Sequence, residues 1–583
     1  MNDIIIGIDL GTTNSEVAVV LDKEIKIIET DGRSMLPSVV GLDDDGKMIV
    51  GIQAYNQYIL HPERTIKSIK RKMGENITVP LGDQTFTPQE ISAAILRCLK
   101  EQAEAYLQQA VTKAVITVPA YFSDQQRQAT RDAGEIAGLE VVRIVNEPTA
   151  ACMAFEHESE KQKIVMAFDL GGGTFDVSIV RMEGDLVEVI GSHGDTKLGG
   201  DDVDQLLQDE LYNLLHHQND EKSFDLTHLA SNRLNRAAQL AKVKLSSSDF
   251  TSIIEDNLTS KDNQTLHFET EFTREDLDSL IQPLLIKTLN SVHKALAEAK
   301  VSIADLDEIL LVGGSTRIPA ISKMLEEEFA IKPRTDIHPD LAVAYGAGVM
   351  AARLMGADNR RILVDITPYT FGTSALGFIN GHSVPYKYCP IIMAGTPLPC
   401  SKSSTFYTAY DGQKSAKITV LQGENEDARE NILLGDFLIN NLDEEADEGN
   451  KLVFHMTLDL DGILHLQVTE KETGLSKEIE IEKSLGQLSS DALQAAKKRL
   501  AKWFSGELDD ENTETDDVQY DTIHTLIKKA EMLKSKMDDV DTKETEDLIQ
   551  QLETEISNKA PVESLQAHVD ELEELLFYLD SAR

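Results

Sequence analysis

The feature that most limits what this chain can fold into is a motif that occurs twice. Ile5-Ile6-Gly7-Ile8-Asp9-Leu10-Gly11-Thr12-Thr13 is a β-rich run that ends on an aspartate and turns through glycine and threonine. Val165-Met166-Ala167-Phe168-Asp169-Leu170-Gly171-Gly172-Gly173-Thr174 repeats it in the same order. Each is followed by a second β-rich stretch, so the unit is a strand, a glycine turn and a return strand, duplicated. Around it, β-rich runs such as Ala114 to Val118 and Glu308 to Val312 alternate with helical ones such as Pro88 to Tyr106. That alternation predicts a layered α/β domain.

The duplicated turns carry chemistry as well as shape. Glycines permit tight turns and let backbone N–H groups approach phosphate oxygens, so Gly11, Gly171, Gly172 and Gly173 read as a phosphate cradle. A carboxylate gains nothing by touching phosphate directly. Asp9 and Asp169 therefore make sense as outer holders of a hydrated Mg²⁺ that bridges the phosphates. Val312-Gly313-Gly314-Ser315-Thr316-Arg317 is a third strand with a glycine turn, placed to approach a nucleoside. The commoner nucleotide motifs are missing: there is no GxxxxGK[ST], and Gly346-Ala347-Gly348-Val349-Met350-Ala351 follows Pro339-Asp340 rather than a strand, so it reads as close helix packing.

Charge and length set further limits. With 56 Lys+Arg against 100 Asp+Glu the formal charge is −44, which repels nucleic acid phosphates and anionic lipid. A chain of 583 residues exceeds one hydrophobic core, so several domains are expected. Residues 1 to 20 lack a basic leader and a cleavage site, and no run approaches the roughly 20 apolar residues of a membrane span. Four cysteines, Cys98, Cys152, Cys389 and Cys400, show no CxxC pairing. A cytoplasmic protein in a reducing compartment is the expectation.

The character changes near Asn359 to Pro368, where a linker is expected, Ala/Gly-rich helical sequence giving way to strands with turns. After Asp411-Gly412, Ala416, Ile418 and Val420 alternate with polar neighbours; Leu452 to Leu460 alternates until Asp461-Gly462 returns it as Ile463 to Val468. This predicts a hairpin-rich antiparallel module. From Leu488 onward strands vanish, and Leu565, Val569, Leu572, Leu576 and Leu579 fall at helical spacing. The acidic stretch Gly506 to Asp517 reads as a solvated loop. The boundaries expected are 1–358 for the nucleotide domain, 359–368 for the linker, 369–487 for the β-module and 488–583 for a helical end.

Taken together, IGIDLGTTNS, VPAYFSDQQRQATRDAG at 118 to 134, NEPTAA at 146 to 151, FDLGGGTFDVS at 168 to 178 and LVGGSTRIP at 311 to 319 resemble the 70-kDa heat-shock chaperone family, DnaK-like, over nearly the whole chain. The resemblance implies an actin-like α/β ATPase domain, an antiparallel β-sandwich that binds peptide, and a C-terminal helical lid. It implies an ATP-dependent chaperone that clasps and releases extended, unfolded polypeptide, with ATP favouring an open site and hydrolysis a closed one. ATP or ADP and Mg²⁺ would be the cofactors, with K⁺ a candidate second ion. A J-domain co-chaperone and a nucleotide exchange factor are the implied partners.

Residue by residue, the resemblance gives Asp9 and Asp169 to the metal, and the hydroxyls of Thr12, Thr13 and Thr174 to phosphates. It sets Lys70, in Ser68-Ile69-Lys70-Arg71, beside the γ-phosphate and Glu147 near the attacking water. Lys242, Ser246, Gly313, Gly314, Ser315, Arg317 and Asp340 would complete the nucleotide site. Pro119 and Arg127 match the family's relay between nucleotide and linker; Arg143 and Asp365 stand where the family meets its J-domain partner. Phe406, Ala409, Ala416, Ile418 and Val420 match the peptide groove, although alternating apolar residues are also what an ordinary sheet core buries. Ile362-Leu363-Val364 is costly to leave exposed in a hinge, which favours its docking in one nucleotide state. Departures exist: Gln239 stands where the family usually has glutamate, Lys72 to Pro88 is shorter, and Thr373 to Pro399 is longer and lacks Met-Gly-Gly. These departures most resemble the HscC-type bacterial branch. A small-molecule kinase of the same fold would have no use for residues 369 to 583, and a non-hydrolysing scaffold would not need Lys70, Glu147 and Thr174.

Overall fold

The computed structural model describes residues 4–155, 161–219, 225–259, 265–334, 338–357, 362–443, 449–471, 476–480, 488 and 490–505, with scattered positions beyond. Residues 1–506 form one unit and 507–583 a second. Linker positions 359–361, the expected loop 506–517, and Leu565, Leu576 and Leu579 lie outside the described residues.

The duplicated motif becomes two sheets of related topology. In the first, Ile5–Asp9 pairs antiparallel with Asn14–Leu21, which pairs with Glu24–Ile27, while Lys113–Val118 and Glu140–Asn146 add in parallel on the other side. In the second, Lys163–Leu170 pairs antiparallel with Phe175–Glu183, then Leu186–Asp195, with Glu308–Val312 in parallel on the other side. Strands buried on both faces need apolar side chains throughout: Ile6, Ile8, Phe168, Val177 and Ile179 are fully enclosed. Helices cover the sheets where capping signals start them. Thr87 and Glu90 form a capping box ahead of Pro88–Leu107, with Pro88 in the first turn, and Ser123 with Gln126 does the same for Asp124–Ile136. A Cβ on Gly7 would overlap the backbone of Ala347 in the helix Ala342–Leu354, one on Gly346 the backbone of Ala150 in the helix Glu147–Ala154, and one on Gly348 the Ile25 and Ala18 side chains, so the 346–351 glycines do serve close packing.

Ile362–Val364 adds as a fifth, parallel strand to the second sheet, Leu186 to Glu188 being its partners. Beyond it lie two four-stranded sheets, ordered His382–Ile392, Phe371–Ile379, Ser415–Gln422, Ile432–Asn440 and Cys400–Tyr407, Lys451–Leu458, Leu464–Glu470, Ser476–Glu480. They share one core that includes Phe371, Ile392, Ile418, Val420, Leu434, Phe454 and Leu466. The long 373–399 segment is mostly the first hairpin, turned by Asn380 (φ 49°) and Gly381 (φ 80°), the paired left-handed residues that suit a two-residue hairpin loop. The helix Ser490–Ser505 lays Ala496 and Leu500 against the core of the first sheet and stacks Trp503 edge-on to Phe86 at 5.6 Å. In the second unit, Ile523, Ile527 and Ala530 are buried at helical spacing, as are Leu548, Ile549 and Leu552.

Candidate functional site

Four backbone segments converge at the C-terminal ends of the two sheets, and glycine is what lets them touch. A Cβ on Gly11 would overlap the Asn14 carbonyl, one on Gly172 the Thr13 hydroxyl, and one on Gly199 would sit 2.5 Å from the backbone of Gly172. Gly313 holds φ 81° and passes so close to Leu170 that a Cβ would lie 2.5 Å from its carbonyl oxygen. Hydrogen bonds lock the crossing: Gly200 N donates to Gly171 O (3.0 Å), Asp201 N to Gly172 O (2.7 Å) and Ser315 Oγ to Gly171 O (2.8 Å). The Gly11 turn is held by Ser15 and by Ser38 Oγ, which donates to Gly11 O at 2.8 Å.

The convergence borders a cleft of about 490 Å³. Asp9, Gly11, Thr12, Thr13, Lys70, Glu147, Asp169, Gly171, Gly172, Thr174, Lys242, Ser246, Gly313, Gly314, Ser315, Arg317 and Asp340 all line it. Gly173 does not; it packs beneath, against Thr12 and Arg71. Gln239 lines it as well. Part of the remaining lining went unnoticed in the sequence, among it Glu16 and a mouth that includes Tyr55, Tyr58, Lys67, Asn235 and Arg236. Across that mouth Lys67 Nζ donates to Asn235 Oδ1 at 3.1 Å, and Arg236 lies over the Tyr55 ring at 5.7 Å. Short motifs give no signal for such pairs, which meet only in the folded chain.

Electrostatics sharpen the picture. Burial pushes the Asp9 carboxyl up to about 7; repulsion from Glu147 adds to this, while Lys70 and the hydrogen bond from Thr117 Oγ1 (2.8 Å) oppose it. Asp169 is raised for the same leading reason, with repulsion from Glu147, Asp176 and Asp9. Lys70 and Glu147 form a buried ion pair, and Lys70 also lies 5.7 Å from the Phe122 ring. Arg317 pairs with Asp340 at 2.6 Å, and Lys242 with Asp204 at 2.8 Å. These residues fit a nucleotide with a divalent cation: the cradle has no room for side chains, and Asp9 and Asp169 are desolvated carboxylates in no ion pair. Among the described residues no three His, Cys, Asp or Glu side chains converge as direct ligands.

The profile described as Hsp70 protein matches residues 5–81 and 75–581. The chain belongs to the Hsp70 family. It is similar to the chaperone protein DnaK of Thermotoga neapolitana, 43% identical over 486 residues that cover 82% of this chain and 79% of that one. It is likewise similar to DnaK of Halobacterium salinarum, 42% identical over 486 residues, 83% of this chain and 75% of the other. This Hsp70 chain is therefore an ATPase and an ATP-dependent molecular chaperone that binds and releases unfolded polypeptide. The family pairs a nucleotide-binding actin-like domain with a substrate-binding domain, and works with client polypeptides and co-chaperones.

Of the remaining expected residues of this Hsp70, Pro119, Arg127, Arg143 and Asp365 gather between its modules. Arg127 is buried and donates to Ala120 O (3.0 Å), Asn146 Oδ1 (2.8 Å) and Asp461 O (3.4 Å). Asp461, at the tip of a β-module hairpin, forms an ion pair with Arg131, lies 3.4 Å from Arg143 and accepts from Ile144 N at 3.0 Å. Asp365 accepts from Asn146 (2.9 Å) and Thr149 (3.3 Å). Pro119 ends the strand Lys113–Val118 just before the Ala120 carbonyl that Arg127 holds. Leu363 packs into two cores of the nucleotide module, whereas Ile362 is 50% exposed. Among the groove residues, Ile418 and Val420 are buried in the β-module core, Phe406 and Ala416 are half-buried, and Ala409 is exposed.

Proposed function

We propose that ATP hydrolysis occurs in the cleft between the two sheets, and that the arrangement seen here is the state in which the β-module has docked on the nucleotide module to release peptide. The observation that carries the reading is the continuity from cleft to interface: Glu147 and Asn146 are neighbours, one paired with Lys70 in the cleft, the other bonded to Arg127 and Asp365 beneath the β-module. In this reading the Gly172 N–H and the hydroxyls of Thr12, Thr13 and Thr174 orient the phosphates, while Gly11 and Gly171, whose N–H groups are held by Ser15 and Thr174, let the backbone come close. Lys70 stabilises charge that develops on the transferred group, and Glu147, held in place by Lys70, orients the attacking water. Asp9 and Asp169 would hold magnesium through water, and the ion would supply charge neutralisation at the phosphates. A K⁺ ion is a candidate second cation.

The two four-stranded sheets are read as the peptide-binding sandwich, and Ser490–Ser505 as the start of a helical lid. Phe406, Ala409 and Ala416 are the accessible groove positions; Ile418 and Val420 would act from the core beneath them. Arg143 and Asp365 are proposed to meet a J-domain partner, and a nucleotide exchange factor is proposed to act on the cleft. The long hairpin at 373–399 and Gln239 support membership of the HscC-type branch. Free cysteines at Cys98, Cys152, Cys389 and Cys400 are compatible with a reducing, cytoplasmic setting, and no helix among the described residues is long and apolar enough to cross a membrane. The test is single-turnover hydrolysis of ATP by Lys70→Ala, expected to be slower by roughly 10² or more. An unchanged rate would remove Lys70 from the mechanism.

A further inference from the structure

Among the described residues, four carboxylates line the cleft without a part in the mechanism above: Asp201 accepts from Ser68 Oγ, Asp204 and Asp340 pair with Lys242 and Arg317, and Glu16 is left. Glu16 lies on Asn14–Leu21 directly opposite Asp9 in the antiparallel pair with Ile5–Asp9. Opposed residues of such a pair point to the same face of the sheet, with Cβ atoms roughly 4.5–5.5 Å apart. Glu16 is 3% exposed, yet it lines the cleft. Among the described residues its carboxylate takes part in no hydrogen bond and no ion pair. The charges it feels most are Asp9 and Asp340, both repulsive, then Lys70, which attracts.

Counting partners isolates the residue. Lys70 is engaged by Glu147, Arg317 by Asp340, and Thr117 donates to Asp9. Among the described residues no cationic side chain forms an ion pair with Asp9, Glu16 or Asp169. A desolvated carboxylate with no donor is costly to ionise unless something outside the chain completes it. The donors on offer are oxygens only, which selects a hard cation. An anion or an apolar ligand would worsen the charge.

We propose that Glu16, with Asp9 beside it, gives this cleft its own seat for a hard divalent cation, one that fills before nucleotide arrives. The proposal rests on reading the cleft as the nucleotide site. Its consequence is a changed order of binding. Where a cation arrives only as part of the metal–nucleotide complex, the empty cleft has no use for it. Here the nucleotide-free chain would take the ion and present a less negative floor to incoming phosphates.

The experiment uses the full chain stripped of nucleotide, with Mn²⁺ as probe and the free ion followed by electron paramagnetic resonance. The parent is expected to bind Mn²⁺, with competition by Mg²⁺ and not by an equal concentration of K⁺. Glu16→Gln should weaken Mn²⁺ binding tenfold or more, and Glu16→Asp should restore part of it. Thermal unfolding separates this from misfolding: without metal, Glu16→Gln should melt no lower than the parent, because a desolvated carboxyl with no donor is gone, and added Mn²⁺ should raise the parent's midpoint more than the variant's. Equal Mn²⁺ affinity in parent and Glu16→Gln would overturn the proposal, as would competition by K⁺ alone or no Mn²⁺ binding without nucleotide. Hydrolysis of ATP by the parent in excess Mg²⁺, measured in parallel, tests the cleft reading separately, since turnover can stand whether or not the empty cleft holds a cation.

Discussion

Gly199 has space for a hydrogen atom and nothing larger. A methyl group there would press on the Gly172 backbone at 2.5 Å, and backbone cannot rotate away as a side chain can. Gly199→Ala should therefore spread the cradle at a cost of about 1–3 kcal/mol, read as a roughly tenfold loss of ADP affinity in a chain that still folds. Wild-type affinity would mean that the crossing at Gly172 is not what binds phosphate. The glycines and aspartates of the turns were legible in the sequence because the motif is duplicated and contiguous. Glu16 was not, since one acidic residue just ahead of the apolar run Val17 to Leu21 looks like a solvated strand end until Asn14–Leu21 is seen paired with Ile5–Asp9 at the cleft. The mouth pairs Lys67 with Asn235 and Tyr55 with Arg236 escaped for another reason. They are 168 residues apart in the first case and 181 in the second (236 − 55).

At the scale of elements, the linker strand divides its labour unevenly. Leu363 enters two hydrophobic clusters while Ile362 remains half in solvent. Leu363→Asp alone should weaken docking by at least about 2 kcal/mol, near the value for burying one leucine, or roughly thirtyfold, and Ile362→Asp should do far less. Equal effects in the ATP-accelerated peptide release assay would contradict this. The interface is also proton-sensitive. Asp124, which accepts from Leu464 N at 3.1 Å, is pushed up to about 6 by burial, and so is Asp132, which accepts from Leu488 N. A carboxyl raised in the docked state above its ordinary value near 4 stabilises docking when protonated, fully below that ordinary value, and loses the contribution as pH rises through about 6. Docking should thus strengthen from pH 7 to pH 5. Trp503, the single tryptophan, stacks on Phe86 and reports it by fluorescence. In Asp124→Asn the change with pH should shrink; an unchanged or inverted profile would place the protons elsewhere. The elements themselves followed from periodicity and caps, as with Pro88–Leu107 behind its capping box. The use of Asp461 as a plug between modules did not, because Asp461-Gly462 in sequence is a hairpin turn and nothing more.

For the whole molecule, the first 506 residues pack as one unit, and the contacts that join its modules are polar at Asp461, Asp365 and Arg127 and apolar at Leu363 and along Ser490–Ser505. Such an interface can be left and re-entered, being stabilised by a few ion pairs, one partly buried strand and the apolar face of one helix. The central claim is that nucleotide in the cleft favours this docked state and that docking releases peptide. It is tested most directly by the dissociation rate of a fluorescent extended peptide, pre-bound with ADP and then mixed with ATP and magnesium. The account predicts fast release on ATP in the parent, slow release on ADP, and little acceleration in Leu363→Asp, even though that variant still binds both ligands. Release accelerated as much in Leu363→Asp as in the parent would contradict it, because the signal would then reach the peptide without the docked strand.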